Sequence, residues 1–241
     1  MNKHTDKQVF EEFFEEFFED GTIKSICQKN QHGLTGEYRT FHKNGKLKQL
    51  SHYMDGKLNG KSTTWDTNDN KLYEMEFLFN KLNGLFIVYE QGIKKISMLY
   101  INGTLNGKYE IYSDNGNLIQ KSNYFNNLLN GESCHFNDTT NELIKQEFYK
   151  DGKLNGPAIT YYPNKIKMLE QQYANGILNG LTNQYYPNGN LKDTKAYLNG
   201  KIIYQKSFDL NGKEHLEVAK NKGLVKKLFF FLSTKKATHK T

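Results

Sequence analysis

Residues 105 to 127 read LNGKYEIYSDNGNLIQKSNYFNN, and variants of this phrase return along most of the chain. Its opening, leucine followed by Asn or Thr and then Gly, begins at Leu34, Leu58, Leu82, Leu105, Leu129, Leu154 and Leu178. The spacings between these leucines are 24, 24, 23, 24, 25 and 24 residues. A fixed period of this length is typical of a repeat array, in which one unit cannot bury its own apolar face and is stable only against its neighbours.

Two aromatic columns follow the same period. The first column lies five residues after each glycine of the phrase and contains Phe41, Trp65, Tyr89, Tyr112, Phe136, Tyr161 and Tyr185. The second column follows each member of the first at a similar distance and contains Tyr53, Phe77, Tyr100, Tyr124, Phe148, Tyr173 and Tyr197. Because one large ring can bury about 150 Å², we interpret both columns as ladders of core side chains rather than as ligand contacts.

Turn signals divide the array into short extended runs. Asn-Gly or Asp-Gly pairs, such as Asn44-Gly45 and Asp55-Gly56, recur between Gly21 and Gly212. This dipeptide is a strong hairpin signal, because a type I′ turn needs positive φ at both central residues. The stretches between turns are too short for helices with loops. The sequence therefore predicts an all-β fold, a continuous antiparallel meander of fifteen or sixteen strands.

The register at the turns decides which face each column occupies. A strict two-residue loop at Asn44-Gly45 would pair Phe41 opposite Lys48 and place Tyr53 on the other face of the sheet. One extra loop residue, as in a G1 bulge, would bring both columns to one face. We favour the bulged loop, since it concentrates the apolar area on one side.

The N-terminal stretch 8 to 20, QVFEEFFEEFFED, has two interpretations. Its phenylalanines recur at helical spacing with glutamates between them, which is typical of an amphipathic helix. In the repeat register, however, Phe14 and Phe17 fall where Tyr38 and Phe41 fall one unit later. We favour a helix up to about residue 16 that runs into a degenerate first strand. In both interpretations the phenylalanines cap the open end of the array.

The C-terminal stretch 214 to 232 carries apolar residues at helical spacing, from Leu224 to Leu232. We favour a short helix that packs over the last strand and covers its open edge. An alternative is a basic amphipathic segment on anionic lipid, and a third is a disordered tail. The residues for an anionic surface would be Lys220, Lys222, Lys226, Lys227, Lys235 and Lys236.

The organisation is thus an acidic Phe-rich cap (1–20), a repeat array (21–212) and a basic segment with a tail (213–241). The net charge is +7, yet residues 1 to 21 carry seven acids against two lysines. Residues 213 to 241 carry eight lysines against two glutamates. Such asymmetry favours an interaction with a charged surface, or between the ends of neighbouring molecules. With hydrophobic residues at 37%, a thin array is favoured over a thick core.

No catalytic or metal-binding constellation is present in the sequence. The seven histidines are scattered and none has zinc-type spacing with Cys27 or Cys134, and no phosphate-loop, dinucleotide or nucleophile-elbow motif occurs. We therefore expect no enzyme, no cofactor and no small-molecule substrate. The two cysteines are expected to be reduced thiols. The sequence shows no secretory signal and no membrane span, so we expect a cytoplasmic protein, with an inner-membrane surface as the alternative.

The residues that directly follow the first aromatic column vary from repeat to repeat. A variable strand position is where partner specificity could be encoded, and it is equally compatible with a plain solvent face. We take as candidate partner-binding residues His42, Asp66, Glu90, Tyr162 and Tyr186; the same position also holds Ser113 and Asn137.

The units 34 to 56, 105 to 127 and 178 to 200 resemble the bacterial variant of the MORN repeat, in particular that of YwqK-like antitoxins. The resemblance covers about residues 20 to 212. It implies an elongated, twisted antiparallel sheet of stacked hairpins that serves as a binding surface. For the YwqK-like group it further implies neutralisation of a toxin encoded nearby, whereas other MORN proteins are membrane-associated scaffolds or dimers.

We therefore expect a non-enzymatic interaction protein, an antitoxin or immunity protein that binds and occludes a toxin. The first alternative is a peripheral membrane scaffold held by the basic C-terminal segment. The second is a single-stranded nucleic-acid binder, because basic charge and tyrosines could stack bases. Nucleic acid is the less favoured partner, since Arg39 is the only arginine and guanidinium groups dominate base and phosphate recognition.

Overall fold

The computed structural model describes residues 12–219, whose regular structure is entirely β-strand. The described chain divides into two compact units, with the boundary between Asn117 and Leu118. Unit 1 contains β1 (Glu12–Phe17), β2 (Ile23–Asn30), β3 (Gly33–Phe41), β4 (Leu47–Met54), β5 (Lys57–Trp65), β6 (Lys71–Leu78), β7 (Lys81–Glu90), β8 (Ile93–Ile101) and β9 (Thr104–Tyr112). Unit 2 contains β10 (Leu118–Phe125), β11 (Leu128–Phe136), β12 (Leu143–Lys150), β13 (Lys153–Tyr161), β14 (Lys167–Ala174), β15 (Ile177–Tyr185), β16 (Leu191–Leu198), β17 (Lys201–Phe208) and β18 (Glu214–Ala219).

Within each unit, every strand pairs antiparallel with the next strand along the chain. The sixteen strands β2–β17 occupy the stretch for which the sequence predicted fifteen or sixteen. The predicted all-β meander is therefore confirmed.

Turns lie at the predicted Asn-Gly and Asp-Gly pairs, and two kinds of turn alternate. At the first kind, the His42 N–H donates to the carbonyl of Lys46, and Gly45 has φ 79°. This is the three-residue loop with a G1 bulge. At the second kind, Asp55 and Gly56 have φ 48° and 75°, which is the backbone of a two-residue type I′ turn.

The two irregular repeat lengths come from turns of the first kind. The 23-residue repeat has a two-residue turn at Gln91 and Gly92. The 25-residue repeat has a longer turn, in which the Asn137 N–H donates to the carbonyl of Glu142 over 2.8 Å. The period therefore changes in the turns, while the strands keep their pairing.

The longer turn also corrects one member of the second aromatic column. In each unit the glycine of the Leu-Asn-Gly phrase pairs opposite a ring of this column, for example Gly36 opposite Tyr53. Gly131 pairs opposite Tyr149 and not opposite Phe148, which the sequence analysis had assigned to the column. The extra turn residue shifts β12 by one position, so Tyr149 and not Phe148 belongs to the second column.

The predicted bulge is present, but a second bulge cancels its effect on register. Beside the turn, Phe41 pairs with Leu47, whereas the next pair is Thr40 with Gln49. Lys48 is the extra residue between these pairs. The body of the hairpin consequently has the register of a strict two-residue loop.

The two aromatic columns therefore lie on opposite faces, and the prediction of one shared face was wrong. Tyr38 pairs opposite Ser51, and the rings of Tyr38 and Tyr53 meet edge to face with centroids 5.9 Å apart. Tyr38 and Tyr53 thus share a face. Phe41 lies three residues after Tyr38 on the same strand, and alternation places it on the other face.

The Leu-Asn-Gly phrase connects each hairpin to the next. Its leucine carbonyl accepts a backbone N–H from the following two-residue turn, one repeat later. In unit 1 the bonds are Gly56 to Leu34 (2.7 Å), Asn80 to Leu58 (2.9 Å) and Gly103 to Leu82 (2.7 Å). In unit 2 they are Gly152 to Leu129 (2.8 Å), Gly176 to Leu154 (2.7 Å) and Gly200 to Leu178 (2.8 Å). Through these bonds, the Leu-Asn-Gly phrase ties each two-residue turn to the hairpin before it.

The rings of both columns are half-buried rather than fully buried. The most buried side chains are small, and they include Ser51, Ser62, Ser122, Ser133 and Ala196. A small side chain between long neighbours is covered by them, while the rings that cover it keep one side in solvent. Cys27 and Cys134 are also buried and are not bonded to each other, as predicted. Burial raises the pKa of the Cys134 thiol to about 11.

The N-terminus corrects the prediction of a helical cap. Residues 12–17 form strand β1, in which Phe14 pairs opposite Cys27, so the repeat register was the right interpretation. Phe13 is 71% exposed and Phe17 is 53% exposed, so no helical apolar stripe is buried there. Residues 214–219 form strand β18. The rest of the predicted C-terminal helix lies outside the described residues.

Candidate functional site

Strands β3–β9 of unit 1 present three rows of side chains on the face that contains Tyr53, and we call this surface the aromatic face. The first row is Tyr38, Ser51, Ser62, Met75, Phe86, Met98 and Tyr109. The second row is Thr40, Gln49, Thr64, Tyr73, Val88, Ile96 and Ile111. The third row consists of Tyr53 with Leu58, Phe77 with Leu82, and Tyr100 with Leu105. Every residue in these rows is uncharged.

Ring contacts hold the aromatic face together. Phe86 meets Tyr73 at 6.1 Å and Tyr100 at 6.2 Å between ring centroids, within the range that favours aromatic pairs. Under the rings, the hydroxyls of Ser51 and Ser62 are hydrogen-bonded at 2.7 Å. The buried polar atoms of these two serines are thereby satisfied, and the surface above them stays apolar.

The aromatic face is accessible as well as apolar. Tyr73 is 42% exposed, and the other rings of the three rows are half-buried. Burial, with a smaller contribution from Tyr38, raises the pKa of Tyr53, so this hydroxyl is a neutral donor at ordinary pH. The cores of protein interfaces are enriched in tyrosine, phenylalanine and methionine and are depleted of charge. The aromatic face has this composition.

Strands β10–β17 of unit 2 present the equivalent rows, and we call that surface the charged face. Its first row is Ser122, Ser133, Glu147, Ala158, Gln171, Thr182, Lys195 and Gln205. Its second row is Gln120, His135, Lys145, Thr160, Leu169, Gln184, Asp193 and Ser207. Its third row contains Tyr124, Tyr149, Tyr173 and Tyr197 opposite Leu129, Leu154, Leu178 and Ile202.

A buried carboxylate stands at the centre of a polar cluster on the charged face. The Glu147 side chain is only 7% exposed, and the Lys145 ammonium lies 2.7 Å from it. The Tyr149 hydroxyl donates to Glu147 over 3.2 Å, and the His135 ring nitrogen is 3.9 Å away. Burial, followed by the charge of Glu147, raises the pKa of Tyr149 to about 12. The charges of this cluster are paired with each other.

The opposite side of each unit carries the first aromatic column together with paired charges. In unit 1, Lys71 lies 2.6 Å from Glu74, which also accepts a 2.6 Å hydrogen bond from the Tyr89 hydroxyl. These bonds from Lys71 and Tyr89 lower the pKa of Glu74. Burial first, and then Glu74, raises the pKa of Tyr89 to about 12. In unit 2, Lys167, Glu170 and Tyr185 repeat the arrangement.

The structure places the predicted partner-binding residues of unit 1 at turns rather than on the aromatic face. A His42 ring nitrogen lies 3.0 Å from the carbonyl oxygen of Trp65 in the next hairpin. Asp66 accepts the N–H groups of its own turn, and Glu90 is the last residue of its strand. The His42 and Asp66 side chains therefore stabilise turns, and Glu90 borders one.

In unit 2, two tyrosines connect neighbouring turns in the same way. The Tyr162 hydroxyl donates to the carbonyl of Tyr185, and the Tyr186 hydroxyl donates to that of Phe208, each over 3.0 Å. The lysines predicted for an anionic surface, from Lys220 to Lys236, lie outside the described residues.

The aromatic face was missed because the sequence analysis searched the variable positions beside the first column. The signal that could have found it is the alternation itself. From residue 73 to 77, for instance, Tyr73, Met75 and Phe77 alternate with Glu74 and Glu76, which indicates one apolar and one charged face.

The described chain offers neither a metal cluster nor a membrane-spanning helix. Between residues 12 and 219, no group of three His, Cys, Asp or Glu side chains could hold a metal ion. In that same range, no helix has the length and apolar character needed to cross a membrane.

Comparison with known proteins gives one family. A family model described as a MORN repeat variant matches residues 34–55, 105–126 and 178–199. The first match covers the hairpin of β3 and β4, and the third covers the hairpin of β15 and β16. The chain is therefore similar to MORN-repeat proteins over three of its repeats, which indicates a repeat protein of the interaction-module type. No curated protein matches the chain.

Proposed function

We propose that this chain is a non-enzymatic protein-interaction module and that the aromatic face of unit 1 binds its partner. The observation that carries the proposal is an uncharged surface across seven strands, whose rings and methionines keep part of their area in solvent. Antiparallel sheets normally bury one face against a core. A large apolar patch left accessible marks an interaction site.

The proposed partner is a toxin that the chain binds and occludes, in the manner of an antitoxin or immunity protein. The resemblance of the repeats to YwqK-like antitoxins supports this finer proposal. An uncharged surface also favours a protein partner over a nucleic acid, because phosphate binding depends on lysine and arginine. The three rows of the aromatic face contain neither.

A matched pair of substitutions tests the surface. Tyr73 on the aromatic face is 42% exposed, and Leu85, on the opposite side of the neighbouring strand, is 43% exposed. We expect Tyr73→Ser to weaken partner binding by about tenfold or more, as the loss of an aromatic anchor does, and Leu85→Ser to leave it nearly unchanged. The measurement is affinity purification of the tagged full chain and both variants from the native host, with identification of the bound proteins.

The toxin proposal needs its own readout. A captured protein that arrests growth when expressed alone, and does not when it is expressed with the wild-type chain, would support it. Tyr73→Ser should lose this rescue and Leu85→Ser should keep it. Equal capture by both variants would overturn the aromatic face as the binding surface. A captured protein without toxicity would overturn the antitoxin proposal alone.

A further inference from the structure

We propose that the aromatic face binds an uncharged, proline-rich segment of the partner in the polyproline II conformation, lying across the strands with one turn of ligand per hairpin. This inference rests on the proposed function of the same face and specifies the chemistry of the partner. It is carried by the spacing of equivalent side chains, by the rings and aliphatic side chains of the third row and by the lack of charge in all three rows.

The spacing of the rings matches the polyproline II repeat. Tyr53, Phe77 and Tyr100 lie on β4, β6 and β8, so equivalent rings are two strands apart. Neighbouring strands are about 4.8 Å apart, which gives about 9.6 Å from one ring to the next. A polyproline II helix rises about 3.1 Å per residue and has three residues per turn, so it repeats about every 9.3 Å.

Other ligand conformations fit this spacing less well. An α-helix has a pitch of about 5.4 Å, and seven of its residues span about 10.5 Å. From Tyr53 to Tyr100, two steps of the array, the helix would be out of step by roughly 1.8 Å and the polyproline II helix by roughly 0.6 Å. In a β-strand, side chains on the same side recur about every 6.7 Å. This spacing does not match the ring spacing of about 9.6 Å.

The third row alternates rings with aliphatic side chains. Tyr53 pairs with Leu58, Phe77 with Leu82 and Tyr100 with Leu105. A ligand residue that recurs every third position can therefore pack against one ring in each hairpin. Proline-rich ligands dock into aromatic-lined grooves in this way.

The chemistry of the face selects the same ligand. A polyproline II backbone makes no internal hydrogen bonds, so its carbonyls need donors. Tyr53, Tyr73 and Tyr100 bring hydroxyl groups to the face. A charged ligand residue would lose its hydration against these rows without an ionic partner, which is costly. An uncharged segment of prolines and aliphatic residues avoids this cost.

The test uses two synthetic peptides of identical composition with the full chain. One has four repeats of Pro-Pro-Leu, and the other has the same eight prolines and four leucines in an order that breaks the three-residue spacing. Calorimetric titration should give the periodic peptide a Kd about tenfold lower than that of the scrambled peptide. Phe77→Ser, in the third row itself, should weaken binding of the periodic peptide by about tenfold, and Leu85→Ser by less than about twofold.

The variant Tyr100→Phe provides a second measurement that depends little on folding, since it removes only the hydroxyl. It should weaken binding of the periodic peptide by a smaller factor than Phe77→Ser does, because the ring remains. Equal affinity for the two peptides, or no binding of either, would overturn this inference. If Tyr73→Ser still loses the protein partner in that case, the proposed function stands and the partner conformation is a different one.

Discussion

The aromatic face of unit 1 and the charged face of unit 2 are built on the same backbone and differ in their side chains. The bond from a turn glycine to a leucine carbonyl is 2.7 Å from Gly56 to Leu34 and 2.8 Å from Gly152 to Leu129. In both units a glycine of the phrase stands opposite a ring of the second column. The repeat phrase therefore fixes the hairpins, and the rows between the fixed positions are free to differ.

The two faces also meet different energetic requirements. The row position that holds Met75 and Met98 in unit 1 holds Glu147 in unit 2. A methionine needs no polar partner, whereas a buried carboxylate is stable only when it is paired and hydrogen-bonded. Unit 2 provides Lys145 and Tyr149 for this purpose. The uncharged rows of unit 1 need no such pairing.

The largest expected effect is a difference in the free energy of unfolding between alanine substitutions at equivalent glycines of the two units. A Cβ added at Gly84 (φ 132°) would lie 2.7 Å from the Cβ of Glu76, whereas one at Gly131 (φ 99°) would lie 3.6 Å from the nearest atom, in Asn123. Both substitutions to alanine place a side chain on an unfavourable backbone, which costs roughly 1–2 kcal/mol. Gly84→Ala adds overpacking, so we expect a total loss of about 3 kcal/mol.

Urea denaturation of the two glycine variants measures this difference as a change in the free energy of unfolding. The control is Gly116→Ala, at a turn where an added Cβ meets nothing within 4 Å. It should show the backbone cost alone. Equal losses for Gly84→Ala and Gly131→Ala would mean that the tight approach at Gly84 relaxes, and the phrase would then be less rigid in unit 1 than its geometry indicates.

A smaller effect concerns the pairing of Glu147 on the charged face. Lys145→Ala removes the ammonium and leaves a carboxylate that is 7% exposed, at a cost of about 1–3 kcal/mol. Glu147→Met installs the residue that unit 1 has at this position, and replacing a buried charge by an apolar side chain is often nearly neutral. We expect Glu147→Met to change the free energy of unfolding by less than about 1 kcal/mol.

Thermal or urea denaturation of Lys145→Ala, Glu147→Met and the double variant tests this order. The double variant should recover most of the stability that Lys145→Ala loses, because no buried charge remains. If Glu147→Met is the more damaging change, the cluster contributes stability beyond the pairing of its charges, and the two faces differ in more than their side-chain chemistry.

The fold was largely predictable because its signals are local. Asn-Gly pairs fix positive φ wherever they occur, and the leucine period requires stacked units, so the hairpins and their number followed from the residues alone. The faces of the columns did not follow. Phe41 and Tyr53 lie on opposite sides because two bulges, one at the turn and one at Lys48, cancel. Only the bulge at the turn has a signal in the sequence, which is Gly45.

The site was harder to predict, for a reason that the two faces explain. Residues that repeat, such as Tyr53 and Phe77, attract attention first, and they are common to both units. What distinguishes unit 1 is the absence of charge at positions such as Met75 and Met98, where unit 2 has Glu147 or Lys195, and no sequence motif marks an absence. Similarly, Phe13 and Phe17 fit a helical stripe as well as a strand, and the pairing of β1 with β2 decided between them.

The smallest expected effect concerns tyrosines at alkaline pH, one in each unit. Tyr89 donates to Glu74 in unit 1 and Tyr149 donates to Glu147 in unit 2, and the pKa of each is raised from 10.0 to about 12. A raised pKa means that the folded state binds the proton more tightly than the unfolded state. The stability from each tyrosine is therefore complete below pH 10 and is lost as the pH rises through about 12.

Glu74→Gln and Glu147→Met should each lower the pKa of one tyrosine, because each removes a neighbouring negative charge while burial remains. Ultraviolet titration of tyrosinate should show one group moving to lower pH in each variant, and the shifts should add in the double variant. On the aromatic face, the pKa of Tyr53 is raised by burial and by Tyr38, so its titration should stay in place in both variants. A shift of the same tyrosine in both variants would contradict the assignment of the two clusters to separate units, since groups that do not interact titrate independently.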